Sequence, residues 1–312
     1  MSTAAPNPLR THLAGITLES PLVLASGILG VTASTLAFAA RAGAAAVTVK
    51  TCGLEPRKGH PGPAILPLRH GLLNAVGLSN PGVAAVVEEL QEFRRRSAVP
   101  VFASIFGRTE EEFGEVAARM AEAQPDLLEV NVSCPNVASE LGQPFGADEA
   151  AVARITARVK AAAGAIPVSI KLTIHCPSIE RMARVCRDHG ADVITAINTV
   201  GPGMHIDVPT ARPVLSNREG GLSGAAILPL AVRAVYRIRA AVDLPVIGTG
   251  GVEDTDAALQ LILAGAHAVG IGTGVWTRGA GIFQALRRGL EEHLAGRGLP
   301  DIAALRGLAH GT

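Results

Sequence analysis

Cys134 is the side chain of this sequence best suited to move a proton. It stands in Asn131-Val132-Ser133-Cys134-Pro135-Asn136, just past an apolar run and at the head of a long connection. A thiolate is a competent general base near neutral pH when its surroundings lower its pKa. Cys52 is the rival thiol and Cys176 a weaker one, while Cys186 falls in a helical stretch as a packing residue. Lys50 and Lys171 each close an apolar run, where an ammonium is costly unless it meets an anion or an open pocket. Two such lysines at one mouth suit a ligand carrying negative charge. A flavin that must hold electrons at N1 and C2=O is one candidate, and an anionic sugar phosphate is another.

Two glycine clusters, Gly248-Thr249-Gly250-Gly251 and Gly270-Ile271-Gly272-Thr273-Gly274, suit a phosphate. Backbone N–H groups approach an anion closely only where no Cβ intervenes, and a following helix adds positive potential. Asn74, Asn131, Asn136 and Asn198 each offer donor and acceptor together, matching a pyrimidine-like ring of alternating C=O and N–H groups. His60, His175 and His205 are expected to be solvated loop residues. No H-x-x-E-H or comparable ligand set is present, so no metal is expected.

These residues must be held by something, and the pattern says what. Eight short runs read as strands: 21–25, 46–50, 99–105, 127–132, 167–172, 192–197, 244–248 and 268–272. They are apolar almost throughout, as parallel strands buried on both faces are. Helical stretches alternate with them at 34–42, 83–96, 110–123, 148–163, 179–189, 225–241, 255–264 and 281–294. Thr109 before three glutamates and Asp254 before Thr255 read as N-caps, and Gly265 as a C-terminal stop. Eight βα units predict an α/β fold, a (β/α)8 TIM barrel in a single domain over 1–312, with a doubly wound sheet as the alternative. The connections 51–82, 133–147 and 198–224 are too long for plain turns. Each follows a strand, which puts it over the C-terminal mouth, where barrels of this kind keep their chemistry.

The bulk composition narrows the function classes. A net charge of +1 gives no electrostatic case for nucleic acid or an anionic membrane, and one Trp with one Tyr makes no stacking platform for single strands. The four cysteines include no C-x-x-C pair, so this chain alone is not expected to hold an iron–sulfur or zinc site. No signal peptide is read at the start, and no apolar run is long enough to span a bilayer. The expectation is a cytoplasmic enzyme.

The motifs resemble the catalytic subunit of class 1 dihydroorotate dehydrogenases from about Leu13 to about Leu290. The resemblance rests on Lys50-Thr51, Leu54-Glu55-Pro56-Arg57-Lys58-Gly59, Asn74-Ala75-Val76-Gly77-Leu78-Ser79-Asn80-Pro81-Gly82 and the Asn131–Asn136 element. Lys171-Leu172-Thr173, Ile197-Asn198-Thr199, Gly220-Gly221-Leu222-Ser223-Gly224, Gly250-Gly251 and Gly272-Thr273 extend it. The most specific of these are N-V-S-C-P-N and N-A-V-G-L. The resemblance implies that Cys134 takes the proton from C5 of dihydroorotate while hydride passes from C6 to FMN. It implies that Lys50, Asn74, Ala75, Val76, Gly77, Leu78, Asn131, Asn136, Asn198 and Thr199 hold the substrate. It implies FMN contacts from Ser26, Lys50, Thr51, Asn131, Lys171, Ile197, Gly224, Gly250, Gly251, Gly272 and Thr273, and a loop from Cys134 to Gly146 that closes over the substrate. A cysteine base marks the class, and K-T-x-x-L-E-P-R-K-G with G-G-L-S-G looks most like class 1B. That form implies a homodimer within a heterotetramer, whose partner subunit carries FAD and a 2Fe–2S cluster and passes electrons to NAD.

The sequence departs from the family pattern in four places. Ser104 stands where Asn is frequent, Cys52 where Thr or a Ser-like residue is usual, Ile174-His175-Cys176 where a Pro-Asn-Val-like stretch is commoner, and Gly201-Pro202-Gly203 alters the loop after the sixth strand. Alternative readings are a dihydropyrimidine dehydrogenase-like FMN subunit acting on uracil or thymine, the fumarate-using class 1A form, a flavin-free phosphate-binding barrel, and a barrel kept as a scaffold.

Overall fold

The computed structural model describes residues 7–132 and 145–311. In chain order the strands are an antiparallel pair β1 (Thr11–Leu13) and β2 (Ile16–Leu18), then β3 (Leu22–Leu24), β4 (Ala46–Thr48), β5 (Ile65–Leu68), β6 (Gly71–Asn74), β7 (Val101–Ile105), β8 (Leu127–Asn131), β9 (Val168–Leu172) and β10 (Val193–Ala196). They continue with β11 (Val200–Met204), β12 (Ile206–Asp207), β13 (Arg212–Pro213), β14 (Glu219–Ser223), β15 (Val246–Thr249) and β16 (Ala268–Ile271). β3, β4, β7, β8, β9, β10, β15 and β16 pair in parallel in that order, and β16 returns to β3 to close the barrel. Closure removes the doubly wound alternative, which would leave two sheet edges. Seven of the eight barrel strands lie inside the runs read from the sequence, and β15 runs one residue past its run, to Thr249.

The helices follow the same reading. Val83–Arg96 is as expected, and Thr109 and Asp254 cap their helices by accepting the Glu112 and Ala257 N–H groups at 3.2 and 2.9 Å. Gly265 ends the second of these at a φ of +117°, a backbone region that favours glycine. The stretch expected to be helical from 225 begins with a 3-10 turn, Ala225–Ile227, and is α-helical over Leu228–Ala241.

Two connections hold structure that the pattern did not reveal. The segment 51–82 contains the hairpin β5–β6, and 198–224 contains β11 and β14; together they form an antiparallel sheet in the order β11-β14-β6-β5. Val200-Gly201-Pro202-Gly203-Met204 has no alternation to betray a strand, and its pairing with β14 shifts register between Val200 and Gly203. A short helix, Thr273–Arg278, also follows β16 directly. Among the described residues no helix is long and apolar enough to cross a membrane.

The barrel interior changes character from end to end. Side chains alternate along a strand, so every second residue faces the axis. At the N-terminal end Val23, Ala46, Phe102, Leu127, Val193, Ile247 and Ala268 form one apolar cluster, closed from below by Leu13 and Leu18 of the β1–β2 hairpin. Two residues further along the same strands stand Thr48, Ser104, Glu129 and Thr195, all buried, with Lys171 beside them. A (β/α)8 barrel usually fills such a layer with branched aliphatics; here it is polar, and the mouth lies directly above it.

His267 helps to seal the closed end. Its Nδ1 accepts the Val246 N–H at 3.3 Å and its carbonyl accepts the Thr11 hydroxyl at 3.1 Å. Burial, then the nearby Arg306 and Arg239 charges, lowers its pKa from 6.5 to about 4. The fold therefore keeps this imidazole neutral, while the unfolded chain takes up a proton near its ordinary value. Its contribution to stability is complete above about 6.5 and declines as pH falls towards 4, by no more than about 2 kcal/mol after allowance for its partial exposure. Denaturant midpoints at pH 7 and pH 5 should differ in that direction, and His267→Gln should flatten the difference. A midpoint unchanged by the substitution at both pH values would remove this role.

Candidate active site

One pocket occupies the C-terminal mouth, and it collects most of the described residues that the sequence singled out. Ser26 comes from the end of β3, Lys50 and Thr51 from the end of β4, Asn131 from β8, Lys171 from β9, and Ile197, Asn198 and Thr199 from the end of β10. Asn74, Val76, Gly77 and Leu78 reach it from β6 and the turn beyond. Gly224, Gly250, Gly251, Gly272 and Thr273 line it from the loops around β14, β15 and β16. Ala75 does not line it, because its side chain is buried with Leu73 and Leu215 on the other face of the segment. Cys134 and Asn136 lie outside the described residues, as does most of the connection they begin.

The glycines leave room where side chains would not fit. A Cβ on Gly251, whose φ is +82°, would stand 2.6 Å from Leu228 Cβ, and one on Gly224, at +93°, 2.6 Å from Gly71 Cα. Both positions need glycine twice over, for the backbone angle and for the space. These loops therefore bare their backbone to the pocket, which is what an anionic group requires.

The segment around residues 76–78 is held in shape from behind. Leu78 sits at a φ of +55°, an uncommon angle for a residue with a side chain. Buried Asn80 donates to the Leu78 carbonyl at 2.7 Å and accepts the Gly82 and Gly53 N–H groups at 2.9 and 3.3 Å. The Arg57 Nε donates to the Gly77 carbonyl at 2.7 Å, and His60 Nδ1 lies 3.1 Å from the Ala75 carbonyl. His60 is thus a brace rather than the solvated residue expected. His175 and His205 are both exposed, as expected, although His175 Nε2 also accepts the Gly201 N–H at 3.1 Å. Across the pocket Asn198 Nδ2 donates to Asn131 Oδ1 at 3.4 Å, and Asn198 Oδ1 accepts the Thr199 N–H at 2.8 Å.

A chain of hydroxyls runs beneath this surface. Ser26 Oγ lies 3.0 Å from Thr51 Oγ1, Thr51 Oγ1 lies 2.8 Å from Ser104 Oγ, and Ser104 donates to Glu129 Oε1 at 3.0 Å. Lys171 Nζ meets the same carboxylate oxygen at 3.4 Å, with both side chains almost wholly buried. Ser104, singled out as a departure from the family pattern, is therefore a linking residue here.

The cysteines within the described residues are poor bases. Burial pushes the thiols of Cys52 and Cys186 up to about 12, and burial also raises that of half-buried Cys176, which donates to the Thr173 carbonyl at 3.3 Å. Cys52 packs in the hydrophobic core and does not line the pocket. Cys52→Ala is accordingly expected to keep turnover within about threefold, with its cost appearing in a melting curve instead.

Several lining residues were not given a role by the sequence. Ser223 accepts the Thr273 hydroxyl at 2.8 Å, and Thr249, Ile65 and Trp276 also face the pocket. Ser223 and Thr249 stood inside recognised stretches, so position alone was their signal. Trp276 had only its solitary status, and Ile65 belongs to the unforeseen hairpin.

The profile of the dihydroorotate dehydrogenase family matches residues 8–294. Relatives named dihydroorotate dehydrogenase B (NAD(+)), catalytic subunit, are similar over nearly their whole length. The protein of Methanosarcina mazei is 44% identical, covering 96% of this chain and 94% of its own. That of Methanothermobacter thermautotrophicus is 41% identical over 97% and 98%, and that of Pyrococcus abyssi 40% identical over 96% and 99%. A closed barrel, a mouth built from the strand ends that the sequence named, and agreement of this extent have one explanation: the chain belongs to the dihydroorotate dehydrogenase family.

Proposed function

We propose that this chain oxidises dihydroorotate to orotate in pyrimidine biosynthesis, with FMN bound in the pocket at the barrel mouth. One observation carries the reading. The 74–78 segment, both lysines and both glycine-rich loops line a single cavity. The donor set fits the two ligands. Glycine loops with bared backbone suit a phosphate, a buried ammonium suits the electron-rich edge of a flavin, and asparagines suit a ring carrying C=O and N–H groups. A flavin held there supplies the acceptor for the hydride that leaves C6 of the substrate.

The residues divide the remaining work. Gly224, Gly250, Gly251, Gly272 and Thr273 hold the phosphate end, and Ser26, Thr51, Asn131, Ile197 and Lys171 hold the ring system. Lys50 serves both ligands. Asn74, Ala75, Val76, Gly77, Leu78, Asn198, Thr199, Asn131 and Asn136 orient the substrate ring and its carboxylate, Ala75 through its backbone. Cys134 takes the proton from C5. A partner subunit carrying FAD and a 2Fe–2S cluster would pass the electrons to NAD in a heterotetramer built on a homodimer of this chain, in the cytoplasm. The word "subunit" in the relatives' names supports a partner.

The test is an anaerobic half-reaction. Purified protein should be yellow, and its oxidised flavin band should bleach on mixing with dihydroorotate. A yellow protein that bleaches only with a dihydropyrimidine lacking the carboxylate would move the substrate assignment. A colourless protein that takes up no FMN would end the flavoenzyme reading. After bleaching, reoxidation by fumarate without a partner would replace the NAD-linked form with the fumarate-using one.

A further inference from the structure

We propose that Glu129 is a positioning residue that sets how readily the bound flavin accepts electrons, a role that rests on the reading of the pocket as an FMN site. Glu129 does not line the pocket. It faces the barrel axis two residues before Asn131, one layer beneath the mouth, where its strand neighbours in register are Ser104 and Ser169. A carboxylate buried in a barrel interior is costly unless it is paired and hydrogen-bonded. This one is both, since its Oε1 takes the Lys171 ammonium at 3.4 Å and the Ser104 hydroxyl at 3.0 Å.

The hydroxyl chain has a direction, and Glu129 imposes it. A carboxylate only accepts, so the single hydrogen of Ser104 is committed to Glu129. Thr51 must then donate to Ser104, and the hydrogen left to bridge Ser26 and Thr51 is that of Ser26, which has the Val49 carbonyl as its other acceptor at 3.1 Å. The Ser104 and Thr51 hydroxyls therefore point along the chain towards the carboxylate, and the Ser26 hydrogen goes to Thr51 Oγ1 or to the Val49 carbonyl. Ser26 and Thr51, which do line the pocket, thus have no hydroxyl hydrogen left to give a ligand, and Ser26 Oγ also accepts the Thr51 N–H at 3.1 Å. Glu129 thus acts in two ways. It fixes the ammonium of Lys171 and offsets its charge, and it keeps the Ser26 and Thr51 hydroxyl hydrogens engaged within the chain so that they do not donate to the ligand.

Both effects make the pocket less positive than two lysines alone would make it. Extra electron density on a bound flavin is favoured by positive potential. Replacing the carboxylate with a carboxamide of the same shape should therefore leave Lys171 under-compensated and ease flavin reduction.

The experiment is a reductive titration of the FMN-loaded protein with a reference dye, in the parent and in Glu129→Gln, Lys171→Met and the double variant. Glu129→Gln should shift the flavin couple towards the reduced form by tenfold or more, a rise of about 30 mV for two electrons. Lys171→Met should lower the potential, and the double variant should fall between the two single ones. An unchanged or lowered potential in Glu129→Gln would overturn the proposal, because a brace that only kept the barrel closed would not raise it. If the glutamine variant does not hold FMN, Glu129→Asp decides: the shorter side chain draws the carboxylate back from both Lys171 and Ser104, so the potential should rise, and an unchanged or lowered one overturns the role. A parent protein that takes up no FMN would overturn both this role and the reading beneath it. A parent that bleaches with dihydroorotate while Glu129→Gln matches it would overturn this role alone.

Discussion

Cys134→Ala should retain its FMN and lose turnover by about 10²- to 10⁴-fold, the range that a positioned general acid–base group contributes. The reasoning begins with elimination. Each of the other three thiols has its pKa raised by burial, two of them to about 12, so none is poised to hold a negative charge near neutral pH. Cys134 follows the end of β8 by only three residues, and β8 ends in pocket-lining Asn131. The flavin band of the alanine variant should match that of the parent, while its bleaching by dihydroorotate slows in proportion to the steady-state loss. A serine at the position should recover activity only at raised pH, since a hydroxyl is a weaker acid than a thiol. Equal losses in Cys134→Ala and Cys52→Ala would defeat the assignment of the base.

Lys171→Ala should weaken FMN binding at least tenfold, about 1.4 kcal/mol, and should also destabilise the apoprotein. The second effect follows from burial. Glu129 and Lys171 are almost wholly shielded from solvent, and removing one partner of a buried pair leaves an uncompensated charge at a cost of about 3–5 kcal/mol. Flavin released on ultrafiltration measures the first effect, and a denaturant midpoint on apoprotein measures the second. The two readouts separate ligand contact from structural support. Unchanged FMN occupancy would remove the flavin role even if stability fell. Lys171→Met, which keeps much of the stem, should lose less stability than the alanine variant.

The barrel was legible in the sequence because buried parallel strands are short apolar runs and their helices announce their ends. Thr109, Asp254 and Gly265 all perform the capping that their types predict. The pocket was legible for a related reason: in a barrel the residues that end strands share one mouth, so naming strand ends names neighbours. Two features escaped. The β11-β14-β6-β5 sheet was hidden because its strands are short and β11 and β14 are interrupted by glycines, with a proline in β11, which breaks the period of two. Glu129 was hidden because an isolated polar residue inside an apolar run reads as noise, and Ser104, though noted as a departure, gave no sign of its link to that carboxylate. Counting back in twos from Asn131, which gives 129 and then 127, would have placed the carboxylate on the axis. Ala75 shows the same alternation in reverse, since an extended segment that aims Asn74 and Val76 at the pocket must turn the residue between them away.

The small sheet has a consequence for how two ligands sense one another. β6 ends in Asn74, proposed to hold substrate, and β14 ends in Ser223 beside Gly224, proposed to hold the phosphate, and the two strands are zipped with Gly221 opposite Asn74 and Ser223 opposite Leu72. A hydrogen-bonded ladder does not absorb a displacement as a free loop does. Anchoring Asn74 on a ring therefore restrains Gly224, and anchoring Gly224 on a phosphate restrains Asn74. If the two ligands bind as proposed, each would prepare the site of the other, and because linkage is reciprocal, the factor by which substrate tightens the grip on FMN would equal the factor by which FMN tightens the grip on substrate. On that reading, part of any cooperation between cofactor and substrate would pass through two paired strands, in addition to the contact that hydride transfer requires between the ligands themselves.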